Sequence, residues 1–230
     1  MGRFYPALRP DSEVPLRIIA ISDTHGSHAA LDHNMPEGNV LVHAGDLTSN
    51  GKLSQWIDAA AWLEVQTERY DHVVCIAGNH DWAAQAFMTE GCEKEMREKI
   101  FPKVHYLRDS DVTLDGVSFY GSPWTPRFFD WAFNADRGLV IKQWTDMIPM
   151  GTTVLITHGP PAGVLDWVGR ERVGCGDLKD AVSRVRPRAH IFGHIHCAHG
   201  QVEADGTHYV NASVLNDQYR IAHLPIVIEI

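Results

Sequence analysis

The stretch IIAISDTH, residues 18–25, decides the fold of this 230-residue chain. The stretch begins with an unbroken apolar run, typical of a strand covered on both faces, and it ends with Asp23 and His25. Four more apolar runs end in residues of the same kind: VLVHAGD at 40–46, VVCIAGNHD at 73–81, VLITHG at 154–159 and HIFGHIH at 190–196. Together the five runs predict one pocket, rich in oxygen and nitrogen ligands, at the ends of the strands.

The first half of the chain is predicted to alternate strands and helices, as in a largely parallel α/β sheet. Apolar residues within 53–70 recur with the helical period, and residues 82–100 form a second predicted helix. The predicted strands are the continuous apolar runs at residues 16–22, 40–44 and 72–77. In such sheets ligands bind beyond the carboxyl ends of the strands, so residues that follow each strand should converge.

The second half adds hairpins to this pattern. Asp115-Gly116 and Asp205-Gly206 each lie between β-rich runs and predict type I′ turns, within residues 112–120 and 201–211. Two further strands are predicted at 152–157 and 189–193, with a helix near 178–185 between them. The expected fold class is α/β, with a mixed sheet or two packed sheets flanked by helices. No linker separates domains, so we expect a single domain over residues 1–230, with residues 1–15 as an extension.

Composition excludes several classes of function. The formal net charge is −9 with no basic run, which argues against a long nucleic acid as partner. We expect no signal peptide in the first 15 residues and no membrane span, because no segment approaches 18 apolar residues. The four cysteines lack CxxC spacing, so we expect reduced thiols and a cytoplasmic location. The motifs G-x-S-x-G and H-E-x-x-H are absent, which disfavours a serine hydrolase and a zinc protease.

Seven side chains at the strand ends are candidate metal ligands. Each alone has an ordinary explanation, as a turn residue or a core histidine, but the set favours metal. His194 and His196 are expected on the same side of an extended segment. The set carries only two formal negative charges, so two divalent ions would leave net positive charge for a phosphate. The candidates are Asp23, His25, Asp46, Asn79, His158, His194 and His196.

The order of these motifs resembles that of the calcineurin-like metallophosphoesterase superfamily. THGPP, GSPWTP and VNASVLN add a similarity to the metallophosphoesterase-domain subgroup, which includes vertebrate brain phosphodiesterases. The resemblance covers residues 16 to about 215 and implies mixed sheets packed as an α/β/β/α sandwich around two divalent ions. Mn²⁺ suits the ligands best, with Fe or Zn²⁺ as alternatives. The implied ligands are Asp23, His25 and His196 for the first ion, Asp46 as the bridge, and Asn79, His158 and His194 for the second.

Two further residues are candidates for catalysis. His80 is either a turn residue or the general acid that protonates the leaving oxygen, which is the role that the resemblance implies. Asp81 either orients the His80 ring or caps the helix that begins near Trp82.

Candidate substrate contacts lie in a loop of aromatic residues. The loop SPWTPRFFDWAF, residues 122–133, either packs against the fold or forms a substrate wall. In the second case Trp124 would face a nucleobase and Arg127 a phosphate, and Asn211 is a third candidate contact.

The expected function is hydrolysis of small phosphodiesters, such as cyclic nucleotides, by water activated at a dinuclear metal centre. The expected protein is a monomer or a homodimer that binds neither long nucleic acid nor membrane. Two rivals stay open. One is a phosphomonoesterase, including a protein phosphatase, and the other is a non-catalytic scaffold of the same fold.

Overall fold

Fifteen strands and five α-helices form over residues 15–230, the part of the chain that the computed structural model describes. The expectations for the N-terminal extension and for a signal peptide concern residues that lie outside this part, apart from Pro15. The strands are β1 (Arg17–Ile21), β2 (Val40–His43), β3 (His72–Cys75), β4 (His105–Tyr106), β5 (Ser110–Leu114), β6 (Val117–Ser122), β7 (Thr125–Pro126), β8 (Asn134–Ala135), β9 (Val154–Thr157), β10 (Trp167–Val168), β11 (Glu171–Arg172), β12 (Ala189–Phe192), β13 (Gly200–Ala204), β14 (Thr207–Asn211) and β15 (Ile226–Glu229). The helices are α1 (Leu53–Gln66), α2 (Trp82–Thr89), α3 (Glu93–Ile100), α4 (Leu139–Asp146) and α5 (Gly176–Val185), with short 3₁₀ helices at His28–Asn34 and His196–Ala198.

Two mixed sheets carry the fold. The first has the order β15-β1-β2-β3-β4, in which β1 to β4 are parallel and β15 is antiparallel to β1. The second has the order β13-β14-β12-β9-β6-β5, with four parallel strands in the middle and an antiparallel strand at each edge. Small two-stranded sheets join β7 to β8 and β10 to β11. The expected mixture of parallel and antiparallel pairing is confirmed.

The two sheets pack face to face, with helices on both outer faces. Ile18 and Ala20 of β1 lie in the core between the sheets, in one buried cluster with Phe119 of β6. Ile19 and Ile21 point to the other face, into the cluster that contains α1 to α3. Both faces of the strand are therefore buried, which is why its sequence is continuously apolar rather than alternating. Helices α4 and α5 cover the second sheet in a third cluster, which completes the expected α/β/β/α layers.

The structure corrects one predicted helix. Residues 82–100 form two helices rather than one, because Gly91 between α2 and α3 has φ 72°, a left-handed conformation that ends a helix. Both Asp-Gly hairpins are confirmed: Asp115 and Gly116 have φ 47° and 79°, as a type I′ turn requires. Asp205 and Gly206, with φ 52° and 80°, turn the β13–β14 hairpin in the same way.

All four cysteines are free thiols, as expected. Over residues 15–230, the chain forms no helix with the length and hydropathy that a membrane span requires.

Candidate metal centre

The candidate ligands lie just beyond the carboxyl ends of parallel strands in both sheets. Asp23, Asp46 and Asn79 follow β1, β2 and β3 of the first sheet. His158 follows β9, and His194 and His196 follow β12, both in the second sheet. The two sheet edges meet here, because the His194 N–H donates to Asp23 Oδ1 and Oδ2 at 3.1 and 3.0 Å. The carboxyl-end rule therefore brings together residues that are far apart in the sequence, such as Asp23 and His194, which are separated by 171 positions.

Two clusters of ligand atoms lie side by side at this edge. The first cluster contains Asp23, His25 and His196, and the second contains Asp46, His158 and His194. A further group of His25, Asp46 and His80 shares a residue with each cluster, and in all three groups one ligand atom per residue lies within 4.8 Å of the others. Asn79 Oδ1 lies 2.9 Å from His158 Nε2, which adds Asn79 to the second cluster.

Asp46 lies between the clusters and faces both with one oxygen. Its Oδ2 is 3.6 Å from His25 Nε2 and 3.2 Å from His158 Nε2. Its Oδ1 instead accepts a hydrogen bond from the His80 backbone N–H at 2.7 Å. A single oxygen of Asp46 is thus directed at the histidines of both clusters.

Backbone carbonyls fix the orientation of three of the histidine rings. His25 Nδ1 donates to Thr48 O at 3.1 Å, His158 Nδ1 to Ala44 O at 3.0 Å, and His196 Nδ1 to Asn216 O at 3.1 Å. A carbonyl oxygen only accepts hydrogen bonds, so Nδ1 must carry the proton in each ring. Each Nε2 is thereby directed at the clusters, where it offers a lone pair once it has lost its own proton, which is the arrangement that second-sphere partners give to metal-bound histidines.

The polar atoms of the centre fit a cation. His25 Nε2 is buried and has no hydrogen-bond partner. His158 Nε2 faces two acceptor oxygens, of Asn79 at 2.9 Å and of Asp46 at 3.2 Å. These atoms need positive charge among them, which is supplied either by a proton on His158 Nε2 or by a metal ion bound in its place. A set of four imidazole rings, one amide and two carboxylates suits Mn²⁺, Fe or Zn²⁺ better than Mg²⁺.

Without metal, protons on the histidines balance the two buried carboxylates of the centre. Burial raises the pKa values of Asp23 and Asp46, but the neighbouring histidines outweigh it and hold both well below the ordinary value. Burial lowers the pKa of His158, but the Asp46 carboxylate outweighs it and raises that pKa to about 9, so a metal ion bound at Nε2 would displace a proton. Burial and the neighbouring His158 lower the pKa of His194 to about 4, so its ring is neutral and free to act as a ligand.

Four of the candidate ligands have a strained backbone. Their φ values are positive, in the left-handed region that residues other than glycine rarely adopt: 56° at Asp23, 44° at His25, 55° at Asp46 and 68° at His194. Such conformations are retained at functional sites when the surrounding structure holds them. The expectation of an extended segment from His194 to His196 is wrong, because His194 is left-handed and His196 begins a 3₁₀ helix.

Asp81 makes neither of the contacts expected for it. Its carboxylate accepts hydrogen bonds from the backbone N–H groups of Leu47, Thr48 and Gly78 and from the Thr48 hydroxyl. No side-chain hydrogen bond caps α2, and the His80 ring donates from Nδ1 to Ser49 O at 2.6 Å instead. Asp81 is fully buried, and burial together with the Asp46 carboxylate raises its pKa to about 6. Its position ties the loop after β2 to the loop after β3.

His80 faces a cavity of about 440 Å³ above the metal centre. Its ring stacks on Trp131, with centroids 4.3 Å apart, and meets the edge of His25 at 4.5 Å. The backbone N–H of Ala132 donates to Asn79 O at 3.0 Å, so the aromatic loop is tied to the same segment that carries His80. Arg127 also lines this cavity, as the sequence interpretation expected of a substrate wall.

Two of the candidate substrate contacts do not line this cavity. Trp124 stacks on Trp144 at 4.4 Å, and its indole N–H donates to Asp109 Oδ2 at 2.9 Å, so it packs within the fold. Asn211 is fully buried; its Nδ2 donates to Ile195 O and its Oδ1 accepts from Ser213 N–H. Both polar groups of Asn211 are therefore engaged in holding the loop that carries His196.

Sequence reasoning missed two residues of the centre. The Ser213 hydroxyl donates to Asp23 Oδ2 at 2.7 Å and holds that carboxylate in place. Tyr219 places its ring edge-on to His25 and His196, at 4.9 and 5.3 Å, and lines the cavity. Ser213 falls inside VNASVLN, which contributed to the resemblance without indicating a role for this serine, and Tyr219 lies in a polar loop with no periodic signal.

The fold, the paired clusters and their histidine geometry define a metal-dependent phosphoesterase centre, and comparison with known proteins agrees. The family model for calcineurin-like phosphoesterases matches residues 16–198, and the chain belongs to that family. The family is one of metal-dependent phosphoric ester hydrolases that act on small phosphoesters.

Curated relatives place the chain in the subgroup expected from its motifs. It is 41% identical over 235 residues to metallophosphoesterase domain-containing protein 1 of Homo sapiens, covering 93% of this chain and 71% of that protein. It is 38% identical over 223 residues to a UPF0046 protein of Caenorhabditis elegans, covering 92% and 74%. Among solved structures, TT1561 of Thermus thermophilus shares the fold with a TM-score of 0.59 at 14% identity, covering 86% of this chain and 89% of that one.

Proposed function

We propose that this protein is a phosphodiesterase that hydrolyses small phosphodiesters, such as cyclic nucleotides, with two divalent metal ions. The observation that carries the proposal is the pair of ligand clusters that share Asp46. In this assignment Asp23, His25 and His196 hold one ion, Asn79, His158 and His194 hold the other, and Asp46 bridges them. We further propose Mn²⁺ as the native metal, a single domain over residues 1–230 and, from the free thiols, a cytoplasmic location.

The chain's own residues divide the work of the reaction. When bound, two divalent ions would neutralise the phosphoryl oxygens and lower the pKa of a water molecule toward about 7. Asp46 and Asp23 bring negative charge to the centre, since the neighbouring histidines hold their pKa values well below the ordinary value even without metal. His80 is the general acid: Ser49 O holds its Nδ1 proton, so Nε2 is the atom that gives a proton to the leaving oxygen. Trp131 limits rotation of the ring by stacking on it.

Aryl phosphates test this proposal directly. Purified protein loaded with Mn²⁺ is assayed with bis(p-nitrophenyl) phosphate and with p-nitrophenyl phosphate, while its metal content is measured by elemental analysis. We expect about two ions per chain and a clear preference for the diester. A strong preference for the monoester would make the protein a phosphomonoesterase. Full metal content without turnover of either compound would make it a non-catalytic scaffold.

A further inference from the structure

Most of the cavity wall beyond the metal centre is apolar. Phe128, Trp131, Val168, Val173 and Ile195 all line it, and they come from four different loops or strands. At about 440 Å³ the cavity has the size of a small-molecule site. A phosphate held by the metal centre would leave much of this space for the organic groups of an ester.

Two of these wall residues are large apolar side chains that remain open to solvent. Phe128 is 59% exposed and Val168 is 45% exposed, although both line the cavity. Val168 lies on β10, in the short β10–β11 hairpin, and Phe128 lies in the aromatic loop. A ligand group that covers them gains free energy in proportion to the apolar area removed from water.

The cationic side chains of the wall already have partners. Arg127 Nε donates to Asp136 Oδ1 at 2.5 Å. Arg137 donates to Gly174 O at 2.8 Å and to Val173 O at 2.7 Å. The carboxylate of Asp217 also lines the cavity. A second anionic group on the substrate would therefore meet the Asp217 carboxylate and two guanidinium groups that already use some of their donors within the protein.

We propose that the cavity selects phosphodiesters that carry a single negative charge and an apolar ester group in contact with Phe128 and Val168. The inference rests on the proposed phosphodiesterase function and narrows its substrate class. The metal centre receives the phosphate, and the apolar wall receives the ester group. Phosphorylated proteins and nucleoside polyphosphates would leave the apolar wall uncovered, because they bring additional charge rather than apolar surface.

A homologous series of substrates tests the inference. The p-nitrophenyl esters of methyl, butyl, hexyl and octyl phosphate, used below their micelle concentrations, all release p-nitrophenolate as water adds to phosphorus. We expect kcat/KM to rise about two- to fourfold per added methylene until the cavity is filled, because each buried methylene contributes a roughly constant free energy. Phe128→Ala and Val168→Ala should each make this rise shallower.

A control variant and a binding measurement complete the experiment. Leu139→Ala removes a side chain that is 88% exposed and is not part of the cavity lining, and it should keep the full rise. Titration calorimetry with dimethyl and dioctyl phosphate should give tighter binding and a more negative heat-capacity change for the longer compound.

The results separate this inference from the proposed function. A flat or falling series, with the methyl ester still hydrolysed, would overturn the apolar-group inference and leave the phosphodiesterase proposal intact. A rise that persists unchanged in both Phe128→Ala and Val168→Ala would show that these two side chains do not contact the ester group. Absence of turnover across the whole series, with both metals bound, would overturn the two proposals together.

Discussion

A single oxygen of Asp46 faces histidines from both ligand clusters, which makes this residue the link between them. The histidines outweigh the cost of burying its charge and hold its pKa below the ordinary value, so the carboxylate stays ionised. His80 donates its backbone N–H to the other oxygen and so fixes the carboxylate in orientation. At the scale of one residue, metal binding and the position of the proposed general acid are therefore coupled.

Asp46→Asn tests the bridging role. The amide removes a negative charge shared by both positions, so affinity for both metals should fall by more than about tenfold, since losing even an outer partner of a metal ligand costs 10–100-fold. Competition titration with a chelator, together with elemental analysis, measures this. Asp111→Asn, which changes an exposed carboxylate on β5, is the matched control. Wild-type affinity at both positions in Asp46→Asn would show that Asp46 is not the bridge.

His80→Ala tests general-acid catalysis. The variant should retain both metals, because no proposed ligand is removed, while turnover falls by about 10²–10⁴-fold for diesters with poor leaving groups. Esters of good leaving groups, which need little protonation, should lose much less. The measurement is kcat/KM against the pKa of the leaving alcohol, with metal content determined in parallel. Equal losses across the series would argue against proton donation, and loss of metal would make His80 a ligand.

At the scale of secondary structure, success of the sequence predictions depended on local chemistry. Both hairpins could be predicted because Asp-Gly pairs favour the left-handed backbone of type I′ turns. The strands could be predicted because burial on both faces leaves an apolar run. The loop from His194 to His196 could not be predicted. His194 is left-handed, and its backbone N–H donates to the carboxylate of Asp23, which follows a strand far away in the sequence. Tertiary contacts, rather than local preference, determine that backbone.

The loop after β3 requires glycine at position 78 for close approach. A Cβ atom at Gly78 would clash with Asp46 and would lie 2.7 Å from His158 Cε1. Gly78→Ala should therefore displace ligands of the second cluster, reducing metal content and destabilising the fold by about 1–3 kcal/mol. Gly176→Ala is the matched control, since a Cβ there meets no atom within 4 Å. Urea unfolding and elemental analysis measure both variants. Full metal content in Gly78→Ala would show that the loop tolerates the added methyl group.

At the scale of the whole molecule, the site forms because the carboxyl ends of two separate sheets meet. Sequence order was enough to predict which side chains converge, since parallel strands place their ends at one edge. It was not enough to predict the cavity wall. Trp124 and Trp131 lie in the same loop, yet Trp124 packs on Trp144 and Trp131 stacks on His80. Which aromatic residue faces the site depends on contacts with α4 and with the loop after β3, and the sequence has no local signal for either.

We expect a histidine outside the metal centre to contribute to the acid stability of the whole molecule. His190 is fully buried on β12, and its Nε2 donates to Thr157 Oγ1 at 2.8 Å, because the Thr157 hydroxyl itself donates to Gly159 O. Its Nδ1 is buried without a partner. Burial lowers the pKa of His190 to about 3, from an ordinary value of 6.5. The unfolded chain therefore binds the proton more readily than the folded protein.

Stability from this residue should be complete above about pH 6.5 and should be lost progressively as the pH falls toward 3, by about 2 kcal/mol at pH 5. His190→Gln keeps a donor for Thr157 but does not titrate, so its free energy of unfolding should fall less between pH 7 and pH 5 than that of the wild type. Urea unfolding at several pH values measures the difference, with His33→Gln, at an exposed position, as the control. If His190→Gln and the wild type lose stability equally over this range, protonation of His190 does not limit acid stability. Carboxylates or other histidines of the fold must then account for the loss.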